Sequence, residues 1–251
     1  MFEEKKISVI TPSYNSERFI SETIKSVLMQ SYKNWELIIV DDCSSDKTIE
    51  IIKEFANNEK RIKFFKNKAN LGAAVTRNYA FTRVTGEYIA FLDSDDLWHP
   101  DKLKLQLEFM KKNNYNFSFT GYKQINENDL FIKNINNLPE KVNYENTIKS
   151  NKIGCLTVMI KVGFFKEISM PNLRKRQDFG LWLKLLKECD YAYCLPEILS
   201  SYRVRRDSVS SDKLSLIKFH WELYRNIEKQ SVLKSLYYLS YHIFNKVFLR
   251  K

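Results

Sequence analysis

Tyr88-Ile89-Ala90-Phe91-Leu92-Asp93-Ser94-Asp95-Asp96 decides how this chain reads. An aromatic and aliphatic run meets three carboxylates within four positions. A short apolar run of this kind, closed by a polar break, fits a strand buried on both faces. Like charges crowded at its end repel one another unless a cation or hydrogen-bond donors offset them. Hard divalent cations such as Mn²⁺ and Mg²⁺ take few carboxylates and complete their shells with phosphate oxygens and water. The cluster therefore suits a nucleotide diphosphate bound through a metal, or else a solvated turn that caps the helix near Pro100.

Outward from this stretch the first 120 residues alternate between two periods. Ile7-Ser8-Val9-Ile10, Leu37-Ile38-Ile39-Val40 and Arg61 to Lys66 read as further strands. Between them lie helical spacings: Phe19, Ile20, Ile24, Val27 and Leu28 with Ser16 as N-cap, and Ile49, Ile52 and Phe55 behind Asp46. Ala73 to Val84 reads as another helix, and a further one bears Leu103, Leu107 and Phe109-Met110 after Pro100. Strand–helix alternation with apolar strands predicts a mainly parallel sheet covered by helices on both faces, an α/β class. In such sheets ligands bind beyond the carboxyl ends of the strands, which here carry Pro12-Ser13-Tyr14-Asn15, Asp41-Asp42-Cys43-Ser44 and the acidic cluster.

Beyond residue 120 the pattern weakens. Residues 123–152 are rich in Asn, Lys and Glu and read as a loop or insertion, Cys155 to Ile160 as a strand, and Phe179 to Leu186 as a helix. The last forty residues read as helical, with Leu214, Ile217, Trp221 and Tyr224 on one face, then Leu233, Tyr237, Tyr241, Phe244 and Phe248. These divisions give one domain over 1–212 and a basic, aromatic helical tail over 213–251.

Composition narrows the classes. The chain has 251 residues, 44% of them hydrophobic, which suffices for a core and excludes intrinsic disorder. No stretch approaches the roughly 20 apolar residues of a membrane span, and Met1 to Lys6 lacks the apolar core of a signal peptide. A cytoplasmic location is expected. Cys43, Cys155, Cys189 and Cys194 form no C-x-x-C pair and the chain holds three His, so neither a disulfide framework nor a thiolate zinc site is expected. A formal net charge of +11 suggests an anionic partner or simple solubility.

Several residues carry two readings. Asp42 is a turn carboxylate or an acceptor for a base N–H or ribose hydroxyls. Asn70-Leu71-Gly72 with Arg77-Asn78 opens a helix whose amides and Arg could face phosphates, although neither G-x-x-x-x-G-K-[ST] nor G-x-G-x-x-G is present. Asp178, after Arg174-Lys175-Arg176-Gln177, is an N-cap or a general base. Arg203-Val204-Arg205-Arg206-Asp207 is a solvated loop or a pyrophosphate clamp.

In this order, Pro12-Ser13-Tyr14-Asn15, Val40-Asp41-Asp42-Cys43-Ser44-Ser45-Asp46, Asn70-Leu71-Gly72 with Arg77-Asn78, Leu92-Asp93-Ser94-Asp95-Asp96 and Arg176-Gln177-Asp178-Phe179 with Leu181-Trp182 resemble a family 2 glycosyltransferase of the GT-A fold. The resemblance covers about residues 6–212 and is similar to the branch that builds bacterial surface polysaccharide, including teichuronic-acid and O-antigen enzymes. It implies an inverting transfer of a hexose or N-acetylhexosamine from a UDP-sugar, with Mn²⁺ or Mg²⁺. On matching positions it implies that Pro12, Tyr14 and Asp42 line the uracil pocket, with Asn70 and Arg77 near the nucleotide. It further implies Asp93 at the ribose or sugar, Asp95 on the metal, Asp178 as catalytic base, and Arg203 and Arg205 beside the leaving diphosphate. Cys43 departs from the usual small residue and is read as tolerated.

The resemblance also implies a glycan acceptor on polyprenyl diphosphate at the inner face of the cytoplasmic membrane. A basic helix carrying Tyr237, Tyr238, Tyr241, Phe244 and Phe248 among Lys234, Lys246, Arg250 and Lys251 can lie on an anionic leaflet or pack on the core. No nucleic-acid motif is present. The rival classes are a nucleotide-sugar-binding scaffold whose catalysis has lapsed, and a sugar-phosphate nucleotidyltransferase, whose Gly-rich first loop Thr11-Pro12-Ser13-Tyr14-Asn15 does not resemble.

Overall fold

The computed structural model describes residues 5–205 and 213–248. Strands β1 (Ile7–Ser13), β2 (Trp35–Asp41), β3 (Ile62–Lys66) and β4 (Tyr88–Phe91) pair in parallel, in the order β3-β2-β1-β4. Every residue of β2 and β4 is buried, as runs covered on both faces must be. The intervening helices are α1 (Ile20–Leu28), α2 (Thr48–Asn58) and α3 (Ala73–Phe81).

The sheet then continues through segments with weak sequence patterns. A short β5 (Leu97–Trp98) and helix α4 (Lys102–Asn113) lead to β6 (Phe117–Ile125), β7 (Phe131–Ile135), β8 (Lys141–Val142) and helix α5 (Tyr144–Lys149). The stretch expected to be a loop over 123–152 therefore holds two strands and a helix. Cys155–Thr157 is a 3-10 turn, and the expected strand begins only at β9 (Met159–Lys161). After α6 (Gln177–Leu185), the long β10 (Ala192–Arg203) completes a ten-stranded mixed sheet. β9 lies antiparallel between β4 and β6, and β10 runs parallel to β6. Thus β1, β2, β3, β4, β6 and β10 all point the same way, and their carboxyl ends share one edge.

One apolar cluster joins Ile10, Ile38, Phe91, Phe117, Phe119 and Trp182, with Phe91 and Trp182 edge-to-face at 5.2 Å. The other joins Val9, Leu37, Ile39, Ile24, Leu103 and Leu107. Alternation along each strand separates the two sets onto opposite faces.

The expected N-cap of α1 is corrected. Phe19 holds that position, while Ser16 uses its carbonyl to accept from the Phe19 and Ile20 amides and shares a 2.7 Å hydrogen bond with the Ser94 hydroxyl. Asp46 does serve the start of α2, its Oδ1 accepting from the Thr48 amide at 3.0 Å.

The tail forms α7 (Lys213–Glu222), a π-helical turn (Leu223–Ile227) and α8 (Val232–Phe248). Tyr224 and Tyr238 pack with Ile148, Leu173, Phe179 and Leu183, so the tail covers α5 and α6. The stripe expected to run through Leu233, Tyr237, Tyr241 and Phe244 is the outward face of α8, and Ile217 of α7 is also exposed. The reading that this aromatic stripe packs on the core is thereby overturned for those residues. Expectations on the side chains of Leu214, Lys246 and Phe248, and on Arg206, Asp207, Arg250 and Lys251, lie outside the described residues. Among the described residues no helix is long and apolar enough to cross a membrane.

Candidate active site

Because β1, β2, β4 and β10 share a direction, the loops that leave them meet at one edge. There the β1 and β2 loops are stitched together. Asp41 is buried and accepts from the Ser13 hydroxyl at 3.0 Å and the Ser44 amide at 2.8 Å. Asn15, in the left-handed region at φ 45°, accepts the Ser45 amide at 2.9 Å. Cys43 also has a left-handed backbone, φ 66°, a conformation for which Asn or Gly would be the easier residues. Pro12 is half-buried at the end of β1, and Tyr14 stands half-exposed beside it.

Asp42 is buried and holds the start of α3. Its Oδ1 accepts from Asn67 Nδ2 at 2.8 Å and the Leu71 amide at 2.9 Å, and its Oδ2 accepts from the Gly72 amide at 2.8 Å. A carboxylate offers about four lone-pair positions, so one remains for a ligand donor. Gly72 adopts φ 87°, which a side chain would strain, and Asn70 is exposed just ahead of it.

Arg77 projects from α3 as a buried cation. Its Nη2 donates to Asp93 Oδ1, while Nε and Nη1 are buried without a hydrogen-bond partner. Burial opposes the charge, but Asp93, then Cys155 and Asp178, outweigh it and raise the guanidinium pKa. Arg77 thus sits in the field of carboxylates 16 and 101 positions away in sequence, and has donors to spare.

The acidic loop is crowded. Burial and then Asp93 raise the Asp95 pKa against the pull of Arg205 and Arg203. Burial, Asp95 and Asp93 push Asp96 well above the usual carboxylate range. Asp96 Oδ1 accepts the Arg203 amide at 2.8 Å, while its Oδ2 is buried without a partner. Such a set of crowded hard oxygen donors fits a divalent cation. Among the described residues no three His, Cys, Asp or Glu side chains converge on one point. The protein would supply carboxylate from this loop, and diphosphate oxygens and water the remainder.

Asp178 lies in the first turn of α6, half-buried, two positions after an Arg176 N-cap with φ 67°. The capping reading of Asp178 is therefore set aside, because Arg176 occupies the cap. No described hydrogen bond occupies the Asp178 carboxylate, which lies in the first turn at the start of α6. Gly180 lets α6 approach the preceding segment: a Cβ there would lie 2.4 Å from Pro171 Cγ.

The two arginines after β10 differ. Arg203 is fully buried beneath the loop, its Nε donating to the Asp95 carbonyl at 2.8 Å, Nη1 to Asp129 at 2.6 Å and Nη2 to Glu22 at 2.9 Å. Arg205 is partly exposed and meets Asp95 Oδ2 at 3.1 Å. Arg203 acts as a clamp on the acidic loop; Arg205 stands at its surface.

Sequence reasoning missed two contributors to this group and, apart from it, one buried lysine. Cys155, whose thiol burial and then Asp93 push well up, shares the electrostatic environment of Arg77, Asp93 and Asp178. Asn67 bridges Asp42 and Thr76 Oγ1, at 2.8 and 3.0 Å. Lys102, wholly buried, donates to Gln106 Oε1 at 2.6 Å and lies 4.4 Å from the Trp98 ring centroid. Only Asn67, just after a strand and close to Asn70-Leu71-Gly72, carried a positional hint.

Comparison with known proteins follows the same lines. The profile described as glycosyl transferase family 2 matches residues 8–169. The candidate teichuronic acid biosynthesis glycosyltransferase TuaG of Bacillus subtilis is 45% identical over 229 residues, 91% of each chain. The Escherichia coli UDP-Glc:alpha-D-GlcNAc-diphosphoundecaprenol beta-1,3-glucosyltransferase WfgD is 39% identical over 94% of this chain and 91% of its own. Among solved structures, S. aureus TarS 1–349 in complex with UDP-GlcNAc superposes with a TM-score of 0.76 at 22% identity, over 96% of this chain and 73% of that one. The mannosyltransferase PcManGT of Pyrobaculum calidifontis, with GDP-Man and Mn²⁺, gives 0.71 at 16% identity, over 95% and 70%. At these identities the two structures speak for the shared fold.

Proposed function

Since the chain belongs to glycosyl transferase family 2 and has the GT-A fold, we propose that it moves a hexose or N-acetylhexosamine from a UDP-sugar to a hydroxyl of a lipid-linked glycan, with inversion, in building a bacterial surface polysaccharide. The lipid-linked acceptor is carried over from WfgD, whose name states a diphosphoundecaprenol, and the setting from TuaG, whose name states teichuronic acid biosynthesis. The donor class follows WfgD, whose name states UDP-Glc. One observation supports the reading most: Asp42, Arg77 with Asp93, Asp95 with Arg205, and Asp178 gather at one sheet edge from five separate segments.

In this reading Pro12, Tyr14 and the free acceptor position of Asp42 take the uracil, with Asn70 near the nucleotide. Arg77 holds Asp93 toward the ribose or sugar and offers its spare N–H groups to oxygens there. Asp95 would hold Mn²⁺ or Mg²⁺, which when bound neutralises charge on the departing diphosphate. Asp178 removes the proton of the acceptor hydroxyl as its oxygen bonds to the anomeric carbon. The bond to UDP breaks on the opposite face, its electron pair leaves with UDP, and the single displacement inverts the centre. Arg205 is placed to support that leaving charge, while Arg203 keeps the Asp95 backbone in position. Such an enzyme would work from the cytoplasm at the inner face of the membrane, with the tail over 213–251 resting on the anionic leaflet.

UDP release across a panel of UDP-sugars, with Mn²⁺, Mg²⁺ or EDTA, tests this. Slow metal-dependent hydrolysis of one donor, abolished in Asp95→Ala, is expected; no binding of UDP by the wild type would refute the reading.

A further inference from the structure

The turn between β6 and β7 lies at the carboxyl end of β6, the same edge as the acidic loop. Arg203 ties them directly, holding Asp129 with one nitrogen and the Asp95 carbonyl with another. The turn is well braced: Asn126 Oδ1 accepts the Asn128 and Leu130 amides at 2.9 and 3.0 Å. Yet Leu130, Phe131 and Ile132 are 63, 62 and 45% exposed. Three consecutive large apolar side chains standing in water, on a rigid turn beside a candidate active site, call for a partner.

The geometry constrains what that partner is. Successive residues of a strand point to opposite faces, and Phe131 and Ile132 are both exposed, so the apolar surface wraps around the tip. A second protein surface would cover one side of such a projection; a lipid interface surrounds both. Charge agrees. The two carboxylates of the turn are taken up by arginines, Glu127 by Arg18 at 3.2 Å and Asp129 by Arg203 at 2.6 Å. Exposed Lys123 and Lys133 flank the apolar tip. Around an apolar tip this leaves basic charge, which suits anionic headgroups and would repel a symmetric second copy.

We infer that the β6–β7 tip, Leu130-Phe131-Ile132, enters the interface of an anionic bilayer and sets the acidic loop at the surface from which a lipid-linked acceptor is presented. This deepens the function proposed above and rests on its lipid-linked acceptor. It is separate from the tail, because α8 packs on α5 and α6 and the turn packs on Arg203 and Arg18.

The full chain is sedimented with vesicles of equal phosphatidylglycerol and phosphatidylcholine. The variant Leu130→Ser/Phe131→Ser/Ile132→Ser is expected to bind about tenfold more weakly with unchanged thermal unfolding. It should keep UDP-sugar hydrolysis and transfer to a short water-soluble acceptor. In Phe131→Trp, the added emission should shift to the blue when these vesicles are present. Unchanged vesicle binding by the triple variant, or an unmoved Phe131→Trp emission, overturns the inference. So does a wild-type dimer in sedimentation velocity that the triple variant dissolves. Wild-type indifference to a polyprenyl chain on the acceptor would instead refute the lipid-linked reading, while the vesicle results still decide the tip.

Discussion

Lys102→Met tests the burial of a lysine that the fold encloses between Gln106 and the Trp98 ring. Burial pushes the Lys102 ammonium from its ordinary 10.5 down to about 7. The unfolded chain therefore binds more protons than the folded one between about pH 7 and 10.5, and native stability rises with pH across that window. At about 1.4 kcal/mol per tenfold change in proton affinity, Lys102 lowers stability by about 5 kcal/mol at pH 6 and about 2 kcal/mol at pH 9. Met keeps the length and removes that penalty. It also strands Gln106 Oε1, which accepts from Lys102 Nζ at 2.6 Å, at about 1–3 kcal/mol, and loses the Trp98 contact, about 1 kcal/mol. The variant should then be about 1–3 kcal/mol more stable than wild type at pH 6, with the advantage shrinking by about 3 kcal/mol by pH 9. Urea unfolding followed by circular dichroism at pH 6, 7.5 and 9 measures both. The lost contacts set the offset; only titration sets the slope. A difference between the two proteins that stays constant from pH 6 to 9 would refute the argument.

Other expectations follow from single contacts. Asp178→Asn should keep UDP binding by calorimetry and lose transfer about 10²–10⁴-fold; wild-type turnover would show that another group takes the proton. Arg203→Met removes the clamp on the Asp95 carbonyl, and because Glu22 and Asp129 are half-exposed the loss should be about 2 kcal/mol, seen as a lower midpoint in denaturant. Glu36 is buried; burial alone would raise its pKa, but Lys63, Ser8 and Thr85 together hold it down to about 2. Its contribution is present above about pH 4.5 and fades as pH falls toward 2. Glu36→Gln should thus destabilise at pH 7 and bring little difference at pH 2, in the same unfolding series.

Much of the fold was legible where local pattern and burial agree. β1, β2 and β4 are short runs buried on both faces, and the helices between the parallel strands show their period openly. β10 was not legible: Pro196 and Glu197 interrupt Ala192–Arg203, and the strand absorbs them in register shifts between Leu195 and Ser201. A proline inside a run argues against a strand until a bulge is seen to house it. The loop reading of 123–152 failed for a related cause. β7 is exposed from Phe131 to Asn134 and lacks the apolar alternation that marks a half-buried strand.

What the sequence determined by itself was the chemistry on offer: carboxylates after strand ends, a family likeness in the order of motifs, and a basic aromatic tail. Short-range rules suffice for this, since a strand end and the turn behind it are neighbours along the chain. Which of these groups meet, and in what state, was decided by tertiary structure. Arg77 and Asp93 are 16 residues apart, whereas Asp178, 101 residues from Arg77, joins them only because the chain beyond the antiparallel β9 returns to begin α6 beside them. Arg203 looked like a ligand for phosphate, and burial made it a clamp. Arg205, two residues on, kept its charge at the surface. The aromatic stripe of the tail was visible as a pattern, but packing of Tyr224 and Tyr238 on α5 and α6 chose which face turned outward. Burial and long-range proximity set these outcomes, and neither is a property of any local stretch of chain.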